Sequence, residues 1–398
     1  MFVKQAPVDF VVREITEFPF SPSESKARRY SFYQLDKTGL GTPEVASVIL
    51  SKWNLQRQQL SYGGLKDRHA STRQFLTIDN GPATDLAEPG FTLKFLGFSN
   101  RKFTAADILR NQFEIQLRGL TAEAAHKLAL TLERLPGGVP NYFDDQRFGS
   151  LGDSGQFIAH PWCLGDYEKA FYLAVAEHNP HDRPRDREQK RIVREHWGDW
   201  TTCKALLERS HLRSLVTYLV DHPQGFKRAV GLIRQDLRSI YVAAFQAKLW
   251  NETVARWLSS QLLPEQYVAM YGASGRLVVP YSLSADWHSR LSELSVPLPS
   301  GRKTDWDPEI LLVLDQVLAE FSLERHRLRF SYPRDVFFSR GSRPVMLLPE
   351  DLTTRVETEA SDESDDKGHV VRLKFQLRAG QYATMLIKTA TMLAVDQE

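Results

Sequence analysis

The stretch "YGGLKDRHASTRQ" (residues 62–74) sets one carboxylate, Asp67, among Lys66, Arg68, His69 and Arg73, directly after two glycines. Neighbouring cations favour the ionised form of an acid. An ionised carboxylate can serve as nucleophile, proton acceptor or ion-pair partner. Gly63 and Gly64 let backbone come close to a ligand, and the flanking bases suit a phosphate-bearing partner. A Gly-Gly surface turn with an ion pair fits the same spacing, so the residues alone leave both readings open.

A second stretch, "PGGVPNYFDDQRFGS" (residues 136–150), gathers aromatics, Asn141, Gln146 and Arg147 between glycines. Aromatic, amide and guanidinium groups together can hold an unstacked base. The same loop also reads as buried, with Tyr142, Phe143 and Phe148 as core. Phe113, on the alternating "NQFEIQLR", reads either as core or as a platform for a ligand. Asp144 and Asp145 suggest a metal, but no further Asp, Glu or His falls at a ligand spacing, so no metal is expected. The chain has no Walker A loop, no G-x-G-x-x-G after a strand, no G-x-S-x-G and no H-E-x-x-H. Nucleotide hydrolysis, hydride transfer, serine hydrolysis and zinc proteolysis therefore lack support.

The elements that must position these residues are legible as periods. "DFVVREI" (residues 9–15), "RQFLTID" (73–79), "FTLKFLGF" (91–98) and "NQFEIQLR" (111–118) read as strands. "TPEVASVILSKW" reads as a helix with Thr42 as N-cap, Pro43 at the first position and Val45, Val48 and Ile49 as its buried stripe. "TAEAAHKLALTLERL" is an amphipathic helix with Ala125, Leu128, Leu132 and Leu135 inward. From about residue 154 to 327 helical patterns dominate. Strand patterns return in "LRFSYP", "DVFFSR", "RPVMLLP" and "VVRLKFQLR". That order predicts a helical insertion: one domain formed by residues 1–153 and 328–398, another by residues 154–327. The terminal strands would complete the first sheet, since a few strands alone seldom fold. The acidic "ETEASDESDDKGH" (residues 357–369) is expected to be a solvated hairpin loop.

Bulk properties set limits. The chain has 398 residues, net charge +2 and 11% aromatics, and a mean hydropathy of −0.37. No apolar run has transmembrane length, and charges come too early for a signal peptide, so a soluble cytoplasmic protein is expected. The two cysteines, Cys163 and Cys203, form neither a disulfide framework nor a zinc spacing. The small net charge does not announce nucleic-acid binding, which must rest on local clusters. Three stand out, at residues 57–73, 101–118 and 183–194; each alone also fits a solvated face.

Together these stretches resemble the TruD family of pseudouridine synthases. "DFVVREI" is similar to the family's "DFVVEE", "DKTGLGTPEVA" to "K-x-G-x-NT-x-x-VA", and "YGGLKDRHASTRQ" to the "AGLKDRHAVTxQ" that carries its catalytic aspartate. "LRNQFEIQLR" resembles "GNxFxIxLR", "GVPNYFDDQRFGS" resembles "GVPNYFGxQRFG", and "LKFQLRAGQYATMLIK" resembles "FxLPxGSYATxLLREL". The match covers the catalytic part nearly throughout and the insertion in patches. It implies an α+β, V-shaped protein: a catalytic domain with a mixed, largely antiparallel sheet, interrupted by a mostly helical TRUD domain. It implies a tRNA pseudouridine synthase that needs no cofactor or metal and acts, as a monomer, on a uridine at position 13. Asp67 falls on the catalytic aspartate. Lys66 would hold it charged. Phe10, Asn111, Phe113 and Tyr382 fall on substrate-pocket positions, and Arg147 and Phe148 lie in the conserved loop of the family. The alternative is a catalytically inactive RNA-binding or tRNA-chaperone protein on the same fold. Departures occur at residues 21–30, at Asp144 and Asp145, and at Arg378 and Gln381, none of which touches Lys66 or Asp67.

Overall fold

The computed structural model describes residues 5–23, 29–135, 137–358 and 368–395. The chain forms two compact units. One joins residues 1–139 to residues 347–398, and the other is the continuous segment 140–346. The boundaries expected at 153 and 327 differ from these. The loop after residue 139 packs on the helical unit through Phe143 and Phe148, and the stretches 328–333 and 335–340 form no strand of the sheet.

The first unit is α+β and is built on an open sheet. Its strands are β1 (Phe10–Ile15), β2 (Tyr30–Thr38), β3 (Leu60–Tyr62), β4 (Ser71–Asp79), β5 (Leu86–Glu88), β6 (Phe91–Ser99), β7 (Arg110–Leu120), β8 (Glu350–Thr358) and β9 (His369–Arg378). The order is β8-β9-β7-β1-β4-β2-β6-β5, with β3 added to β4. Among the described residues only β1 and β4 run parallel; every other pairing in this sheet is antiparallel. Of the four late strand patterns only "VVRLKFQLR" joins the early sheet: it is β9, which pairs with β7 and sets Phe375 opposite Phe113, whereas Ser342–Pro344 pairs with Ser295–Pro297. Thr358 lies opposite His369 at the end of the β8–β9 hairpin. The acidic residues between them, 359–367, lie outside the described residues, as do residues 24–28 of the departure at 21–30.

Side chains alternate across the sheet as a period of two requires. Tyr33, Leu35, Leu76 and Ile78 pack with Val45 and Ile49 of helix α1 (Thr42–Lys52). Their neighbours Phe32 and Phe75 join Phe18 and Phe103 in a separate aromatic cluster. Helix α2 (Ala122–Glu133) starts on the Thr121 hydroxyl, which accepts from the Ala124 N–H at 3.2 Å. It buries Ala125, Leu128 and Leu132 as the sequence pattern requires. A final helix, Ala383–Val395, follows β9 and packs on α2.

The second unit is mostly helical. Its spine is the 27-residue helix Gln235–Gln261, against which the helix Pro308–Glu320 packs. Trp200–Leu206 and His211–Asp221 are separate helices, the second capped by Ser210 through the Arg213 N–H. Within this helical unit residues 267–280 form a hairpin, Tyr267–Gly272 paired with Gly275–Pro280. Cys163 and Cys203 are both buried free thiols, and burial raises the Cys203 thiol to about 11.

Candidate active site

In β1, Phe10, Val12 and Glu14 share the buried face of the strand. In β7, Asn111 and Phe113 do the same. The antiparallel register sets Glu14 opposite Asn111 and Val12 opposite Phe113. Phe113 stacks on Phe375 of β9 at 5.3 Å between centroids and meets the edge of Phe10 at 6.1 Å. Three strands thus contribute one aromatic group, beside which lie an amide and a buried acid.

Glu14 is the residue that sequence reasoning missed. Its side chain is fully buried, which costs several kcal/mol for an unpaired charge. Two contacts offset that cost. Its Oε2 accepts from the Phe75 N–H at 2.8 Å, just past the parallel β1–β4 pairing that ends at Arg13 and Arg73. Its Oε1 lies 2.9 Å from the Lys66 ammonium. Burial raises the Glu14 carboxyl above its ordinary value, and the Lys66 charge and the two hydrogen bonds pull it part of the way back. A signal was available: an acid two residues beyond Val12 continues the inward alternation.

Lys66 also donates to Asn111 Oδ1 at 2.7 Å. The cation beside Asp67 thus also reaches the strand face. It acts as a bolt that ties the Asp67 loop to β1 and β7. Asn111 and Phe113 are successive residues on one face, about 7 Å apart by strand geometry. Asp67 itself is half-buried, and its Oδ1 accepts from the His69 N–H at 3.0 Å, an Asx turn that orients the carboxylate.

Three more contacts pin this loop. The Lys66 N–H donates to Thr42 Oγ1 at 2.9 Å, and Thr42 donates to Gln74 Oε1 at 2.8 Å. Thr42 is thus the first residue of α1 rather than its N-cap. The cap is Gly41, whose N–H donates to Glu44 Oε2 at 2.9 Å. Gln74 donates to the Gly64 carbonyl at 3.3 Å. A Cβ at Gly63 would sit 2.6 Å from Ile108 Cδ1, so that glycine serves close packing rather than ligand approach.

The last pin is Lys37, at the end of β2 and 2% exposed. Its ammonium donates to the carbonyls of Leu40 (2.6 Å), Asp67 (2.9 Å) and Lys66 (3.4 Å). An ammonium has three donors, so all are used. Burial lowers Lys37 to about 8; the negative charge of Asp67 works against that fall and the positive charge of Lys66 adds to it.

Tyr382 is half-buried just before the last helix, where its carbonyl accepts from the Met385 N–H at 3.0 Å. Gln381 accepts from the Arg378 N–H at 3.1 Å, so this departure closes the turn after β9. Arg147 and Phe148 belong to the second unit. There Phe148 is 3% exposed and packs edge-on against Phe157. This burial matches the reading of Phe148 as part of the core. Arg147 is half-buried, with its guanidinium over Phe143 at 5.6 Å. The loop around them is equally structural. Asn251 receives the Phe143 N–H and donates to its carbonyl, both at 2.9 Å, and the Tyr142 hydroxyl donates to the Val278 carbonyl. Asp145 accepts from the Ala273 N–H at 2.7 Å.

Many of the bases that drew attention in the sequence are paired within the fold. Lys66 meets Glu14, Arg68 meets Glu44, and Arg73 meets Asp36. Arg101, Arg110 and Arg118 pair with Asp107, Glu350 and Asp9. In the 183–194 cluster Arg191 bridges Glu188 and Glu195, Lys190 meets Asp182, and Arg185 meets Glu208. Among the described residues no helix is long and apolar enough to cross a membrane.

Comparison with known proteins agrees with this geometry. The family model described as tRNA pseudouridine synthase D (TruD) matches residues 1–390. A Methanococcus maripaludis protein named "Probable tRNA pseudouridine synthase D 1" is 26% identical over 98% of both chains. The tRNA pseudouridine synthase D of Leptospira interrogans is 26% identical over 97% of this chain and 95% of its own. The crystal structure of a Methanosarcina mazei protein assigned to tRNA pseudouridine synthase D superposes with a TM-score of 0.68 at 21% identity. It covers 98% of this chain and 93% of that one, which bears on the fold alone. With its β1–β4–β7 face, its pinned Lys66–Asp67 loop and a family match over nearly its whole length, the chain belongs to the tRNA pseudouridine synthase D family.

Proposed function

We propose that this protein isomerises a uridine of tRNA to pseudouridine, with Asp67 as its catalytic group. The observation that carries the reading is the pinned loop. Lys37, Thr42 and Lys66 hold the backbone at residues 66 and 67 to the sheet, on the face that bears Phe10, Asn111 and Phe113. Such over-determination is what a group needs if it must meet a reacting atom within a fraction of an ångström.

The reaction is an isomerisation, so no oxidant or co-reactant is required. The uracil N1–C1′ bond breaks, the base turns, C5 bonds to C1′, and the C5 proton leaves as N1 gains one. Asp67 either attacks C1′ or removes the C2′ proton to form a glycal. The target nucleotide must leave its stack to reach the carboxylate. Phe113, backed by Phe375 and Phe10, gives an apolar bed for the extruded base. Asn111 and Tyr382 supply polar groups at its edge, and Arg147 contributes to holding RNA. Position 13 of tRNA, a cytoplasmic setting and action as a monomer complete the reading.

Tritium release from a tRNA transcript labelled at uridine C5 tests it. The wild type should release label, and Asp67→Asn should do so at least about 10²-fold more slowly. Equal rates would reject the role of Asp67. A wild type that binds tRNA and releases nothing would instead mark a silent RNA-binding protein on this fold.

A further inference from the structure

In the second unit, residues 300–302 and 328–338 enclose a groove of about 550 Å³. This is within the range of ligand sites. Two backbone segments meet closely to form it. The Gly301 N–H donates to the Leu328 carbonyl at 2.9 Å, and a Cβ at Gly301 would sit 2.9 Å from Arg329 Cβ. Phe330 is anchored by stacking on Trp162 at 4.2 Å. Arg238 holds Asp335 through two hydrogen bonds, of 2.9 and 2.7 Å, which fixes the segment from below.

The groove's own charges are unspent. Arg302, Arg329 and Arg334 line it, all are exposed, and none makes an ion pair among the described residues. This contrasts with the three basic clusters conspicuous in the sequence, most of whose members are paired within the fold. Asp335 stands in the same segment, but Arg238 takes its carboxylate. Beside these cations Phe337 is 70% exposed, although it lies between Val336 and Phe338, which are buried at 3% and 4%. An exposed phenylalanine beside three unpaired guanidinium groups leaves both the ring and the charges open to a ligand. The combination matches single-stranded nucleic acid, whose phosphates seek cations and whose bases stack on aromatic faces.

We propose that this groove is a binding site for unpaired RNA, in which Arg302, Arg329 and Arg334 neutralise successive phosphates and Phe337 stacks on a base. The proposal rests on the reading that the substrate is tRNA, and assigns to the second unit a contact with a loop of it. An acidic protein partner would match the arginines but would leave Phe337 without a stacking role.

Fluorescence anisotropy with a labelled oligouridine and with an unmodified tRNA transcript tests this in the full-length protein. Phe337→Ala should weaken oligouridine binding by about 5- to 100-fold, and Phe337→Trp should retain it. Truncating an exposed ring spares the core, and circular dichroism checks that fold. Replacing the three arginines by alanine should flatten the dependence of log affinity on log salt by about 2 and raise the KM for tRNA. Affinity and salt slope unchanged in both variants would overturn the proposal, as would a loss restored by Phe337→Leu as fully as by Phe337→Trp. Tritium release by the wild type is read in parallel. Release with unaltered binding in the groove variants sinks the groove alone, whereas lost binding without wild-type release sinks the isomerase reading alone.

Discussion

Lys37→Met offers the sharpest probe of the pinned loop. Methionine keeps the length and apolar stem but removes the ammonium that donates to the Leu40, Lys66 and Asp67 carbonyls. Two quantities then move apart. Holding Lys37 charged at about 8 rather than 10.5 costs about 3 kcal/mol. Charge-assisted hydrogen bonds return a comparable sum. Stability at pH 7 should therefore change by no more than about 2 kcal/mol. Activity should fall about 10- to 100-fold, because a carboxylate displaced by about 1 Å loses its attack geometry. The pH dependence separates the two further. Below pH 8 Lys37 is protonated in the native and unfolded chains alike, and its burial cost is fully present. Between about pH 8 and 10.5 the native amine has lost its proton while the unfolded one keeps it, so the unfolded state binds more protons and stability rises with pH. Activity should go the other way over that window. A neutral amine has two donors for three carbonyls and no charge to set beside Asp67. Urea denaturation and tritium release, measured on wild type and variant from pH 7 to 10, read both trends. A variant with wild-type turnover and the same alkaline limb would show that Lys37 positions nothing.

Two further substitutions probe the same network. Glu14→Gln keeps an acceptor for the Phe75 N–H but leaves the Lys66 ammonium without its anion; unfolding free energy should drop by about 3 kcal/mol, with turnover reduced, and a drop below 1 kcal/mol would show that Asn111 alone satisfies Lys66. Thr42→Val removes the oxygen that accepts from the Lys66 N–H and leaves Gln74 Oε1 short of a donor. It should cost about 1–3 kcal/mol, seen as a lower thermal midpoint.

Much of this was legible in periods. The alternation of "NQFEIQLR" gives β7, and the stripe Ala125, Leu128, Leu132 gives α2 as found. Less legible were features decided by partners far along the chain. Thr42 reads as a cap because Ser and Thr commonly cap helices, yet its hydroxyl is taken by Lys66 and Gln74, contacts no local pattern announces. Glu14 and Lys37 look like surface residues by type; only the inward face of β1 and the packing at the end of β2 bury them. The aromatic loop at 141–148 has the composition of a base-binding loop, but Asn251 and Val278, more than 100 residues away, turn it into core. The groove at 300–338 escaped notice because the sequence shows charge, and not which charges find partners.

The β7 strand takes one neighbour from each side of the insertion: β1 before it and β9 after it. During synthesis Phe113 emerges long before Phe375, the ring on which it stacks, with the whole contiguous segment 140–346 made in between. The ribosome thus delivers the contiguous helical unit while the half-built sheet still lacks β9. A nascent or prematurely terminated chain should lack the floor beneath the uridine, so catalysis would begin only once translation has passed β9.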